Sequence, residues 1–402
     1  MPHNPSNAPL LKFLLCYLLW IGGGQMVKGQ ILEDSMFMAR AHAGLNLTYN
    51  GRYDEADQAF EGLLEDFPAH PAPHFLKATN RWWQSSTCVT PFFHSIIDQQ
   101  LRLGLEKSEQ YLAVDHPDEH ALFQYLSHAL HAKLAAYRQE WFTAANRGRK
   151  LIPYLDDCIA YSDSSVEFCF ASGVYHYYAA TIAESNVLLT PFMAFFPDGN
   201  VSKGLEELEE SISSGSLTRP EAMYYLTYIY LEPSARDTVR AQVMAQRLHR
   251  DFPLNPWFTC EYARVKVHTG FHEEAIPVLD QLIANYEGQP GAIQKAITCL
   301  ESNYTTKLAM RAYHYRGLSY LDGRHDPERA IEDFQSSLDY AALCGISEDH
   351  YVAGSWYYQG RCHEELEQVE MARNAYLNAK EADAYGEFGD RINKSLKRLA
   401  QP

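Results

Sequence analysis

The 402-residue chain contains no CxxC pair, no HExxH, no GxSxG and no phosphate-cradling glycine loop. Those absences remove a zinc knuckle, a thioredoxin-like dithiol, a zinc-protease helix, a nucleophile elbow and a P-loop. Positive charge is also scarce, with 34 Lys and Arg against 51 Asp and Glu, a net charge of −17. Non-specific nucleic-acid binding and docking on anionic lipid both rest on cations, so both are disfavoured. The most apolar run, FLLCYLLWI at 13–21, is too short for an ordinary transmembrane helix, which needs about 20 apolar residues.

What is present is a folding chain, 46% hydrophobic and 21% charged, with 27 tyrosines. Tyrosine packs like a hydrophobe and still offers a hydroxyl, which suits helix interfaces and recognition grooves alike. The run at 13–21 follows Lys12 and precedes Gly22, Gly23 and Gly24, as the core of a secretory signal does. Val27-Lys28-Gly29 allows cleavage before Gln30, and export to a periplasm or cell envelope is the expectation. An uncleaved anchor is the alternative. Cys16 lacks the small residue before it that a lipoprotein signal would carry. Removing residues 1–29 leaves Cys88, Cys158, Cys169, Cys260, Cys299, Cys344 and Cys362, an odd number. Most sit in apolar text as small buried hydrophobes. Cys158 and Cys169 flank a polar loop and would be the pair to bridge in an oxidising compartment.

Two phrases nearly repeat: GRYDEADQAF at 51–60 and TGFHEEAIPVL at 269–279. DFPAHP (66–71) is likewise echoed by DFPLNP (251–256). Gly44, Gly51, Tyr53, Ala56, Phe60 and Pro68 describe a helical hairpin: small residues where helices approach, large ones where a neighbour leaves a hole, a glycine turn and a proline stop. This spacing resembles the tetratricopeptide repeat, a helix–turn–helix unit of about 34 residues. Trp356, Gly360, Ala372, Tyr376 and Ala379 match it near the C-terminus. Gly317, Tyr320, Ala330 and Phe334 match with one extra residue in the turn, and Ala263, Gly270, Ala275 and Leu279 make a further copy. Ala241 and Pro253 keep half of another, and 125–152, with Ala132, Trp141 and Ala144, is degenerate.

The resemblance implies an all-α superhelix of helical hairpins, eight or nine of them, in one domain over 30–402. Its clearest repeats are 40–68, 256–286, 307–343 and 353–381, its divergent middle is 85–215, and a helix within 383–400 caps the end. With the apolar loop at 192–196, RWWQ at 81–84 and the DFPxxP elements, the chain resembles uncharacterised exported tetratricopeptide proteins of bacteria. It also distantly resembles a divergent eukaryotic tetratricopeptide family linked to mitochondria and inclusion bodies. Neither carries a catalytic residue, and no cofactor is expected.

In the resembled family ligands lie on the first helices of the repeats. Those positions here are Cys260 and Arg264, His314 and Leu318, and Tyr357 and Arg361. Arg264 and Arg361 suit a carboxylate of a protein or peptide partner; pairing with neighbouring acids is the plainer alternative. Ala41 and Leu45 of the first repeat lack the Lys and Asn of a carboxylate clamp. Trp82 and Trp83 cannot share one helix face, so one packs beyond its own hairpin or offers a flat platform. His120, His128 and His131, near Asp115, Asp118 and Glu119, form the nearest thing to a metal set, or else lie at a helix start whose dipole favours acids. The leading expectation is therefore a non-catalytic exported scaffold with a protein partner. A carbohydrate- or nutrient-binding repeat protein is the alternative, and a metal-dependent enzyme the remoter one. Membrane association is expected only through the envelope or an uncleaved signal segment.

Overall fold

The computed structural model describes residues 30–86, 91–162, 165–185, 197–213, 216–288, 305–384 and 386–400. Among them every extended regular element is a helix, and no helix is long and apolar enough to cross a membrane. The signal-like run at 13–21 and the apolar loop at 192–196 lie outside the described residues.

Helices pair in chain order. The first hairpin joins α1 (Ser35–Tyr49) to α2 (Tyr53–Asp66), the second α3 (Ala72–Ser86) to α4 (His94–Tyr111), and the third α5 (Pro117–Tyr137) to α6 (Trp141–Ala160). The divergent middle ends with α7 (Val166–Ser185) and α8 (Val201–Glu210), and after it α9 (Arg219–Ile229) pairs with α10 (Thr238–Asp251). Then come α11 (Pro256–His268) with α12 (His272–Glu287), α13 (Thr306–Leu318) with α14 (Pro327–Leu343), and α15 (His350–Glu365) with α16 (Val369–Ala382). A last helix, α17 (Gly389–Leu399), closes the array. Among the described residues the helices form eight hairpins and a cap, the all-α repeat fold expected.

The repeat residues act as their chemistry requires. Gly51 and Gly270 turn the chain at φ +73° and +85°, the left-handed region. In the degenerate third hairpin Gln139 takes that position at φ +61°. A Cβ on Gly317 would stand 2.8 Å from Phe334 Cε1, and one on Gly360 2.6 Å from Tyr376 Cε1. The small residue on each first helix is thus the socket for the aromatic of its second helix. The extra residue after Gly317 is absorbed by a π-helical turn, Ser319–Arg324, ended by His325 at φ +52°. Both DFPxxP stretches join one hairpin to the next. Phe67 and Phe252 end α2 and α10, and Asn255 Oδ1 caps α11 by accepting from Trp257 N at 3.0 Å.

Where repeat signals fade, buried carboxylates join the hairpins. Glu119 on α5 accepts from Leu32 N at 2.9 Å and meets His70 Nε2 at 3.0 Å. Glu207 meets His176 Nδ1 at 2.7 Å, tying α8 to α7. Glu167, only 4% exposed, accepts from Leu217 N and the Thr218 hydroxyl and so fastens the α8–α9 connection to α7. No disulfide joins Cys158 to Cys169; Cys169 Sγ donates to the Ser162 carbonyl at 3.2 Å, so the bridge expected as the favoured pair is not made. The cap expectation for 383–400 is met: Ile392 is fully buried and Phe388 is 2% exposed.

Two outcomes follow. Gly317→Ala should cost about 1–3 kcal/mol by overpacking against Phe334, and Gly317→Ala/Phe334→Leu should recover part of that loss in urea unfolding. Burial pushes Glu167 up to about 7 from an ordinary 4.5, against the opposing pull of its Leu217 and Thr218 hydrogen bonds. Between those values the native state holds a proton that the unfolded chain has released, so stability falls as pH rises through the window. The full difference is about 3 kcal/mol, and Glu167→Gln should flatten that part of a stability-against-pH curve.

Candidate functional site

Much of the inner face of the array is closed by its own side chains. Tyr49, at the end of α1, packs its ring 5.5 Å from Trp83, 5.4 Å from Phe252 and 6.3 Å from Phe258. Asn255 Nδ2 donates to the Tyr49 carbonyl at 2.8 Å across 206 residues of sequence. Glu221 on α9 accepts from Trp83 Nε1 at 2.5 Å and from the Tyr49 hydroxyl at 3.4 Å. Trp83 is 3% exposed and Trp82 6%. The two tryptophans do diverge, Trp83 toward α9 and α11 and Trp82 toward Tyr137, at 5.8 Å on α5. Neither presents a flat platform to solvent, because both faces of α3 are buried.

A second closed centre holds two more of the sequence candidates. Glu261 on α11 is fully buried; Arg264 is 6% exposed and Arg311 on α13 is 2% exposed. Arg264 Nε donates to Glu261 Oε2 at 2.6 Å, and Arg311 donates to Oε1. Two guanidiniums share one carboxylate, so Arg264 Nη2 and Arg311 Nε lack hydrogen-bond partners among the described residues. Aromatic faces take their place: Arg264 Cζ lies 4.0 Å over Tyr228 and Arg311 Cζ 4.1 Å over Trp257. Burial alone would raise Glu261, but Arg264 and Arg311 outweigh it and hold the carboxyl at about 2. His314, 2% exposed, puts Nδ1 2.9 Å from Ser355 Oγ, and burial drives its pKa well below the usual imidazole value. Arg264 is therefore paired with a neighbouring acid, and Arg264 and His314 are both buried.

Tyr357 and Arg361 on α15 fare differently. They line an open cleft of about 520 Å³ with Glu364 and Glu365 on one side and Arg391, Lys394, Ser395 and Arg398 of α17 on the other. Arg361 Nη2 donates to Asp322 Oδ1 at 2.9 Å in the π-helical turn. Arg398 grips Glu364 in a fork, at 3.1 Å and 2.6 Å, and the Tyr376 hydroxyl adds a third bond to that carboxylate at 2.6 Å. Arg391 Cζ lies 4.8 Å over the Phe388 ring and 6.0 Å over Tyr357. Arg391 and Lys394 are exposed, and neither has an ion-pair partner among the described residues. The basic face of the last helix, expected only to cap, thus forms a wall beside two groove residues. Its signal in the sequence was four cations within eight residues, Arg391, Lys394, Lys397 and Arg398, in an acidic chain.

The three histidines of α5 do not converge. His120 Nδ1 faces Ser108 Oγ at 2.9 Å, His128 stacks on Tyr154 at 6.4 Å between centroids, and His131 Nε2 lies 3.4 Å from Asp98. Among the described residues no His, Cys, Asp and Glu cluster of metal-binding shape occurs.

No family model and no curated protein matches the chain. Among solved structures it is similar to a chain of Naa15/Naa10 bound to HypK-THB, at 15% identity over 91% of this chain and 63% of that one, TM-score 0.31. It therefore spans under two thirds of that protein's length. Further likenesses are to the P58(IPK) TPR domain, at 12% identity over 90% and 96% of the two chains, TM-score 0.21, and to the APC/C hetero-tetramer Cut9-Hcn1, at 13% over 92% and 90%, TM-score 0.23. At such identities and scores, the ground for the repeat fold is the chain's own hairpin geometry.

Removing the shared carboxylate should expose how the closed centre is held. Glu261→Gln leaves two buried guanidiniums facing a neutral group and should cost about 3–5 kcal/mol in urea unfolding at pH 7. The native carboxyl is depressed to about 2 from an ordinary 4.5. Its contribution is therefore complete above pH 4.5 and is lost as pH falls toward 2. The variant should lose less stability than the wild type across that acid range.

Proposed function

We propose that the chain is a non-catalytic scaffold that holds an acidic segment of a protein partner in the cleft between α15 and α17, after export to a periplasm or cell envelope. One observation carries the reading: in a chain of net charge −17, four cations, Arg361, Arg391, Lys394 and Arg398, face one open cleft against only Glu364 and Glu365. Arg361 and Arg398 are steadied by Asp322 and Glu364, which fixes their guanidiniums without covering them. Arg391 and Lys394 remain for a partner's carboxylates, with Tyr357 as an aromatic floor. Carboxylates on a flexible segment would gain fork-like bonds from arginine and a point charge from lysine. Export is supported by the apolar run at 13–21 and the small residue Gly29 before Gln30. A carbohydrate reading needs a flat exposed aromatic, and Trp82 and Trp83 do not supply it.

The test is calorimetric titration of the full chain with an octapeptide of alternating Glu and Ala, beside its Lys-for-Glu counterpart. The acidic peptide should bind and the basic one should not. Arg391→Glu/Lys394→Glu should weaken binding about tenfold or more, and raising salt from 50 to 300 mM should weaken it further. A double variant that binds the acidic peptide like the wild type would falsify the cleft assignment.

A further inference from the structure

Beneath the first four hairpins lies an apolar cavity of about 230 Å³, walled by α1, α3, α5, α7 and α9. Leu45, Leu76, Leu126, Leu130, Phe75 and Val174 are among the apolar side chains that line it. Packed interiors hold few voids larger than a water molecule, and this one persists because three first helices turn alanines toward it: Ala72 on α3, Ala129 on α5 and Ala171 on α7. A longer aliphatic side chain at any of these positions would occupy the space.

Its polar lining is sparse and uneven. Thr79 Oγ1 sits in the wall, the residue 7% exposed, with no hydrogen-bond partner among the described residues. Buried hydroxyls are ordinarily matched, so an orphan at a cavity wall marks where a ligand group would sit. Lys133, the one cation of the wall among the described residues, is already caged: its Nζ lies 4.9 Å over the Trp82 ring and 5.1 Å over the Tyr225 ring. Two carboxylates share the wall with it, Glu167, fastened by the 216–218 segment, and Glu221, held by Trp83 and Tyr49. A ligand carboxylate would meet a lining with no surplus of positive charge. A ligand ammonium would find the aromatic cage occupied.

We propose that this cavity binds a small neutral amphiphile: an aliphatic chain with one uncharged hydroxyl that pairs with Thr79. An apolar cavity of about 150 Å³ holds the six carbons of benzene, so this one holds about nine heavy atoms, the size of 1-octanol. The site lies in the first four hairpins and α9, apart from the α15–α17 cleft, and does not depend on that cleft's ligand.

The experiment titrates 1-octanol, octanoate and n-octylamine into the full chain by calorimetry. One mole of 1-octanol should bind per chain, at least tenfold tighter than either charged analogue. Ala129→Phe should abolish that binding while leaving the helical circular-dichroism spectrum unchanged. Thr79→Val keeps the side-chain volume and removes the hydroxyl; it should weaken 1-octanol about fivefold and leave toluene binding unaltered. If Ala129→Phe fails to fold, the Thr79→Val comparison decides alone. Absence of 1-octanol binding, its survival in Ala129→Phe, or equal loss of 1-octanol and toluene in Thr79→Val would each overturn the site. Octanoate binding as tightly as 1-octanol would overturn the neutral head group.

Discussion

A helical array has two ends and an inner wall, and the inner wall must be wetted or filled. Here it is filled on the side of the sixth hairpin, and Tyr49 is the residue around which that filling is built. Its ring meets Trp83, Phe252 and Phe258, its carbonyl takes a bond from Asn255, and its hydroxyl faces Glu221. A fully buried aromatic contributes about 1.5–3 kcal/mol, and Phe258 and Tyr49 are 0% and 1% exposed. Repeat arrays are ordinarily stabilised by neighbours alone. In this chain the first hairpin also leans on the sixth, so their stabilities are linked.

That closure decides which register positions stay open to solvent. Arg264 and His314 hold the register positions at which an open superhelix would present side chains. Closure packs them among Glu261, Arg311, Tyr228 and Ser355 instead. The same register one hairpin later, at Tyr357 and Arg361, borders the open cleft against α17 instead.

The hairpins were legible because their signals are local. Gly44 with Phe60, Gly317 with Phe334 and Gly360 with Tyr376 are sockets and plugs about sixteen residues apart, and Gly51 and Gly270 declare their turns. The single added residue near 319–324 was visible as a break in spacing, although not as a π-helical turn. The centre was not legible. Glu261 pairs with Arg264 three residues on but also with Arg311 fifty residues on, and Asn255 reaches back to Tyr49. Such contacts depend on superhelical pitch, which no single repeat encodes. Trp82 and Trp83 could be assigned to divergent faces from their adjacency; the burial of both faces could not, because it requires α5, α9 and α11 to arrive on either side. The basic face of α17 was visible as a run of charge, and its partnership with α15 follows only from the fold.

The placement of Arg391, Lys394 and Arg398 on the terminal helix makes the molecule electrically lopsided. On the proposed reading, a body of net charge −17 would disfavour an acidic chain in general and favour it at the α15–α17 cleft. At physiological salt that contrast is felt only within about 8 Å of the surface. On that reading it would act less as a long-range attractor than as a filter on the orientation of an acidic partner. The helix that seals the hydrophobic core also gives the array a front and a back.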